Sequence, residues 1–424
     1  MDAPTITFFG NFGTHNLGNE VTLKAMLQNA RLHLPGARLN CVCTEPLETS
    51  RAHRIPAFRI SYRYGRRPSQ PSSRDSNRLV RLARRLLVRL PRELVEWLRA
   101  FRILGGTTML VMTGTGMLGD FGIGPLDLHY EILKWSIVAK LRGCKLLFVS
   151  VGAGPIAHPL SRWIVKHALS LADYRSYRDT FSKEYLESIG FDTSTDRVYP
   201  DLAFSLADSA GAPSPNGHRD SESRLIGLGL MDYYGQHQSP EEGERVYQRY
   251  VADMARFARW LIQQDYSLLL LIGDASYDTR VKRDVIRALR ESGSASDDGR
   301  VIEQPLSSPD QLTAQLAQTE IVVATRFHNV LLALLLNRPV IALSYHEKVR
   351  SLMAGAGAAE YCHDATALDL PRLIEQFKRL EANADSFRSG MRAKSAEYRL
   401  ALDEQYQHIF GPDRDAVLRN RASS

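Results

Sequence analysis

The chain has 424 residues, of which 44% are hydrophobic and 24% charged, so it can bury sizeable cores and is longer than one ordinary domain. Its apolar runs, such as Val330 to Leu336, fall well short of the roughly 20 residues of a membrane span. The opening Met1-Asp2-Ala3-Pro4 lacks the basic start of a secretory signal. Cys41, Cys43, Cys144 and Cys362 have neither disulfide-framework nor zinc-knuckle spacing, and a reducing cytoplasmic setting is expected. The net charge of +7 is uneven. Between Arg51 and Arg102, 15 arginines face only Asp75, Glu93 and Glu96, a local +12, which leaves the rest of the chain at −5. An evenly basic nucleic-acid binder is excluded.

Short apolar runs alternate with helical patterns, the mark of a parallel α/β sheet. Strands are predicted at Thr5 to Phe9, Leu39 to Thr44, Met109 to Thr113, Leu146 to Val151 and Tyr174 to Arg178. Val21 to Leu32 has a helical period, and Asp179 is placed to cap a helix over Thr180 to Ile189. Residues 207–224 carry no apolar period and are rich in Ser, Pro, Gly and Ala, as expected of a linker. The pattern then restarts: strands at Leu225 to Leu230, Ser267 to Ile272, Ile321 to Ala324 and Val340 to Ser344, helices around Val246 to Gln263 and Thr279 to Arg290, and a helical end. The expectation is an N-terminal Rossmann-like domain over 1–206, with a basic insertion at about 51–102, and a C-terminal one over 225–424. Two doubly wound domains would face a central cleft, where ligands usually bind.

The richest stretch is Ile321 to Arg350. A buried strand runs into Thr325-Arg326-Phe327-His328 and then a helix apolar on nearly all sides, so Arg326 and His328 stand over the carboxyl edge of the sheet. A helix N-terminus favours an anion, and an arginine beside it adds a bidentate clamp. That environment disfavours an imidazolium, but a ligand phosphate offsets it and lets His328 donate a proton. Equally open is a structural carboxylate partner for Arg326 with His328 capping the helix. Lys348, past the next strand, would reach the same place or remain a surface lysine. Three glycine loops end strands of the first half: Gly10 to Glu20, Gly114-Thr115-Gly116 with Asp120, and Gly152-Ala153-Gly154-Pro155. None is GxGxxG or a Walker loop. No histidine or acidic pair has metal-ligand spacing, and there is no GxSxG elbow, so no metal or cofactor is expected.

GNFGTHNLGNE, GTGMLGD, SVGAGPI and TRFHNVLLALLLNRPVIALSYHEKV occur in the order of the motifs of the polysaccharide pyruvyltransferase family, which the sequence resembles over about residues 5–355. The resemblance implies an architecture similar to the two-domain GT-B glycosyltransferases, and transfer of the enolpyruvyl carbons of phosphoenolpyruvate onto a sugar as a cyclic ketal. It implies His328 as the general acid, and Arg326, Lys348 and Arg178 as holders of the donor's phosphate and carboxylate. Asp201 and Asp120 would orient acceptor hydroxyls or serve as base, and Asn16, Gly18, Glu20, Gly114, Gly116 and Gly154 would line the substrate loops. The sequence departs from the family pattern at Asn19, at Thr115, and at Met231-Asp232, where a basic donor-binding residue is expected. Two alternatives remain: a GT-B enzyme using a nucleotide sugar, and a non-catalytic sugar- or phosphate-binding protein of the same fold.

Within the basic segment, Arg78, Arg81, Arg84, Arg85 and Arg89 alternate with leucines and valine, as in helices that lie on anionic membranes. Residues 78–90 are therefore a candidate peripheral contact near a lipid-linked saccharide acceptor. The other reading packs the leucines on the first domain. Few aromatics interleave the arginines, so no nucleic-acid partner is expected.

Overall fold

The computed structural model describes residues 3–14, 16–62, 78–120, 123–206, 224–235, 239–273, 278–291, 299–306 and 308–411, and the side chains of 78–90 lie outside that description. The expected linker therefore falls outside the described residues, Arg224 excepted. Two compact units emerge: residues 1–14, 22–202 and 404–424 form the first, and 15–21 with 203–403 form the second.

The first unit holds a seven-stranded parallel sheet. In chain order its strands are β1 (Thr5–Gly10), β2 (Arg38–Cys43), β3 (Ala57–Arg59), β4 (Met109–Met112), β5 (Lys145–Val151), β6 (Tyr174–Tyr177) and β7 (Arg197–Val198). Their spatial order is β3-β2-β1-β4-β5-β6-β7, so the winding reverses between β1 and β4. β1 and β4 are buried along their whole length, and β5 nearly so, as expected of parallel strands covered on both faces. The helices α1 (Leu17–His33), α2 (Pro46–His53), α3 (Arg78–Ile103), α4 (Leu128–Leu141), α5 (Pro159–Ser170) and α6 (Thr180–Ser188) connect the strands. Trp135 of α4 is fully buried against Phe9, and its indole N–H donates to the Ile60 carbonyl at 3.2 Å. Asp179 caps α6 as its position suggests, accepting from the Ser182 N–H at 2.7 Å.

The second unit repeats the plan with β8 (Leu225–Leu230), β9 (Ser267–Ile272), β10 (Val301–Ile302), β11 (Ile321–Ala324), β12 (Val340–Ser344) and β13 (Cys362–Asp364). The order β10-β9-β8-β11-β12-β13 places the reversal between β8 and β11. Its helices are α7 (Pro240–Gln263), α8 (Thr279–Glu291), α9 (Pro309–Gln318), α10 (Phe327–Leu335), α11 (Glu347–Gly355), α12 (Leu370–Ala382) and α13 (Ala384–Phe410). The far end of α13 belongs to the first unit, where the Gln405 amide donates to Ser176 Oγ at 2.7 Å and Tyr174 Oη at 3.2 Å.

The fold is α/β with two doubly wound parallel sheets. Two details differ from the sequence reading. α1 starts at Leu17 and not Val21, because the Asn16 side chain accepts from the Asn19 N–H at 3.4 Å and caps a turn that holds Gly18. β3, β7, β10 and β13 are two- or three-residue edge strands, too short to carry a period.

Candidate active site

In open α/β sheets, ligands bind beyond the carboxyl ends of the strands where the winding reverses. In the second unit that point lies past Leu230 of β8 and Ala324 of β11. Arg326 is the N-cap of α10, with extended backbone, and His328 and Asn329 fall in the first turn. The Arg326 guanidinium is held by a carboxylate: Nε donates to Asp278 Oδ2 at 2.9 Å and Nη2 to Asp278 Oδ1 at 2.5 Å. Asp278 also accepts from the backbone N–H groups of Asp232 at 3.0 Å and Gly273 at 3.2 Å. The Asp278 side chain is fully buried, whereas that of Arg326 remains 22% exposed. The structural pairing left open by the sequence is therefore present, and the guanidinium still reaches the surface at the helix N-terminus. It is His328, however, that does not cap the helix; Arg326 occupies the cap position and makes no side-chain cap bond.

His328 is half-buried, with its ring edge-on to Phe327 at 5.4 Å. Lys348 Nζ lies 5.8 Å from the centre of the same Phe327 ring and 5.7 Å from that of Tyr345. Its own N–H donates to the side chain of His346, which caps α11. Arg326, His328 and Lys348 thus share one neighbourhood around Phe327. Gly18, which belongs to this unit, meets the imidazole closely: a Cβ there would stand 1.6 Å from His328 Cδ2. Gly18→Ala is expected to displace the His328 ring and, with the general-acid role that the family resemblance implies for it, to cut turnover. In a helix the substitution by itself favours stability by about 1 kcal/mol, so a melting temperature held near the native value would show that the lost activity comes from the ring. Of its neighbours in α1, Asn16 is the cap described above and Glu20 is buried.

Where a basic residue was expected, Asp232 follows β8. Burial pushes its carboxyl up, while the Tyr234 hydroxyl and the Arg280 and Arg326 charges pull it down less strongly and Asp278 adds to the rise. Its Oδ1 is buried and has no hydrogen-bond partner among the described residues.

In the first unit the glycine loops after β4 and β5 zip together. Gly152 N–H donates to the Thr115 carbonyl at 3.1 Å, Leu118 N–H to Gly152 O at 3.2 Å, and Gly154 N–H to Leu118 O at 3.1 Å. A Cβ on Gly114 would meet Leu202 and the Ser150 carbonyl at 2.8 Å, and Gly116 is half-buried in the same loop. Gly154 has φ +72° with its Cα against the Tyr185 ring, a place only glycine fills. Asp120 Oδ2 accepts from the Ala157 N–H at 2.8 Å and ties the two loops. Arg178 lies over the Cα of Gly152 between two acids: Nε is 3.3 Å from Asp179 Oδ2 and Nη1 3.8 Å from Asp201 Oδ2, all three side chains being nearly buried.

A family model for polysaccharide pyruvyl transferase matches residues 16–347, a span that takes in the α10 start and the glycine loops after β4 and β5. The chain belongs to the polysaccharide pyruvyl transferase family. No curated protein matches this family member. Among solved structures, a protein described as a UDP-N-acetylglucosamine 2-epimerase from Listeria monocytogenes has a TM-score of 0.60 at 13% identity, covering 97% of this chain and 98% of the other. A glycosyltransferase from Rickettsia africae has a TM-score of 0.58 at 11% identity, covering 97% and 100%. The S. aureus MnaA–UDP structure has 0.57 at 12%, covering 98% and 97%. At these identities the likeness is one of fold, and the fold of this family member is GT-B-like.

Sequence reasoning missed two residues of the site. Asp278 holds Arg326 from 48 positions away, and before α8 it resembles an ordinary helix cap. Asn329 is fully buried beside the Cα atoms of Gly229 and Gly273, and among the described residues its Oδ1 and Nδ2 have no hydrogen-bond partner. An unsatisfied buried amide costs about 1–3 kcal/mol, the kind of cost found at functional sites.

Proposed function

We propose that this family member transfers the pyruvyl group of phosphoenolpyruvate to a saccharide as a cyclic ketal, in cell-surface or exopolysaccharide biosynthesis. The observation that carries the reading is the imidazole of His328 in the first turn of α10, with Arg326 before it and Lys348 over the adjoining Phe327 ring. A small donor bearing a phosphate and a carboxylate suits a helix N-terminus supplied with two cations.

In this reading, Arg326 and Lys348 bind and partly neutralise phosphoenolpyruvate. His328 gives a proton to the methylene carbon, which becomes the methyl group, and positive character develops at the central carbon. A saccharide hydroxyl adds there, and its proton returns to the His328 imidazole. The bond from that carbon to the bridging oxygen breaks, and inorganic phosphate leaves with the electron pair. A second hydroxyl adds, its proton passes to phosphate or solvent, and the ring closes. Atoms and charge balance without an oxidant, a reductant or a metal. Asp201 and Asp120 are the carboxylates assigned to acceptor hydroxyls. Asp201 Oδ2 lies 3.8 Å from Arg178 Nη1.

Asp232 favours one other reading, in which an acid at the β8 end accepts from the ribose hydroxyls of a nucleotide sugar, as some GT-B enzymes require. Phosphate release separates the two. Incubated with phosphoenolpyruvate and a panel of nucleotide-linked, lipid-linked and polymeric saccharides, the protein is expected to release inorganic phosphate only when an acceptor is present. Release of nucleotide from UDP-sugars with no phosphate from phosphoenolpyruvate would establish the other chemistry.

A further inference from the structure

Helix α3 buries one face and leaves another apolar face uncovered. On the inner side, Ala100 and Leu104 are buried, and the Trp97 indole N–H donates to Tyr130 Oη at 3.1 Å. Arg99 donates to the carbonyls of Arg59 and Ile60, both at 2.7 Å, and Glu96 accepts from the Tyr62 N–H at 3.3 Å. These bonds fix the rotation of the helix. On the outer side, Leu94 is 62% exposed, Val95 61% and Leu98 48%, and Phe101 is also exposed, with the Arg142 guanidinium 4.4 Å over its ring. Leu94, Leu98 and Phe101 are spaced four and three residues apart, one stripe along the helix. In the sequence the same spacing continues back through Leu90, Leu87, Ala83 and Val80. Core packing does not account for the described part of this stripe, because the core is served by the opposite face.

Charge selects what would cover it. Residues 78–92 hold six arginines and no acidic residue. A second copy of the chain would bring six more like charges against them. Nucleic acid would satisfy the charge but has no use for an aliphatic stripe. An anionic lipid surface offers both an apolar boundary and negative headgroups, the combination that holds amphipathic helices in the interface. Among the described residues, no helix is long and apolar enough to cross a membrane.

We propose that α3 docks this protein on anionic lipid, with Leu94, Leu98 and Phe101 entering the boundary below the headgroups. This docking does not depend on the assigned reaction. The test is sedimentation of the full chain with vesicles of phosphatidylcholine alone and of an equimolar mixture with phosphatidylglycerol. The protein is expected to pellet with the mixed vesicles, to stay in solution with the neutral ones, and to be released by salt. Leu94→Ser with Leu98→Ser should weaken binding about tenfold for each leucine, and Arg84→Glu with Arg85→Glu at least about fivefold for each arginine. Since Leu94 and Leu98 are exposed, the leucine variant should keep the native melting temperature, which separates lost docking from lost fold. The proposal is overturned if the native protein ignores mixed vesicles at low salt, or if the leucine variant binds them as well as the native chain. It is also overturned if the stripe proves to hold a dimer or RNA and no lipid.

Discussion

Replacing His328 with alanine is expected to lower turnover by about 10²- to 10⁴-fold, the usual worth of a positioned general acid, while phosphoenolpyruvate still binds. The binding groups explain the split. In the proposed reaction, Arg326 and Lys348 carry the charge that meets the donor, and His328 touches it only to move a proton. Lys348→Ala should do the reverse, weakening donor binding about 10- to 100-fold, as expected for a hydrogen bond to a charged group, with a smaller effect on turnover at saturation. Titrating phosphoenolpyruvate into each variant by calorimetry, beside steady-state kinetics, reads both numbers. A His328→Ala protein with native turnover would remove the imidazole from the reaction. Lys348 is the better probe of charge than Arg326, because removing Arg326 also leaves Asp278 buried without its partner.

That pairing gives the largest expected effect on stability. Asp278→Ala strips the acceptor from the Arg326 fork and from the N–H groups of Asp232 and Gly273. Breaking one side of a buried pair costs about 3–5 kcal/mol. At about 2–4 °C per kcal/mol for a unit of this size, the melting temperature should fall by roughly 6–20 °C. Removing both charges, with Asp278→Leu and Arg326→Met, should recover much of the loss, since an apolar pair avoids desolvating two ions. If Asp278→Ala melts like the native protein, the fork contributes little and Arg326 does not depend on it.

Much of this was legible in the sequence, for reasons that can be located. β8, β9, β11 and β12 have the expected bounds, because strands buried on both faces read as unbroken apolar runs ended by polar or glycine residues. The placement of Arg326 and His328 at the start of α10 followed from a buried strand running straight into an apolar helix. What failed to show depends on contacts distant in the chain. Nothing near Asp278 announces an arginine 48 residues later, and nothing near Arg178 announces that Asp179 and Asp201 flank it. Asp120 was open to a catalytic and a structural reading, and the structure gives it a loop N–H to hold. The leucines of residues 78–90 were equally ambiguous, since periodicity reveals a stripe but not which side the core takes, and their side chains lie outside the described residues. Further along α3, Leu94 and Leu98 are exposed.

Carbon–oxygen cleavage of phosphoenolpyruvate after protonation at its methylene carbon, as proposed, can be followed with donor carrying heavy oxygen at the bridging position, turned over in deuterated water with a saccharide acceptor. The expected result is heavy oxygen in the released phosphate and one deuterium in the methyl group of the ketal, read by mass spectrometry. Heavy oxygen retained on the three-carbon product, or a saccharide that gains no such group, would contradict it.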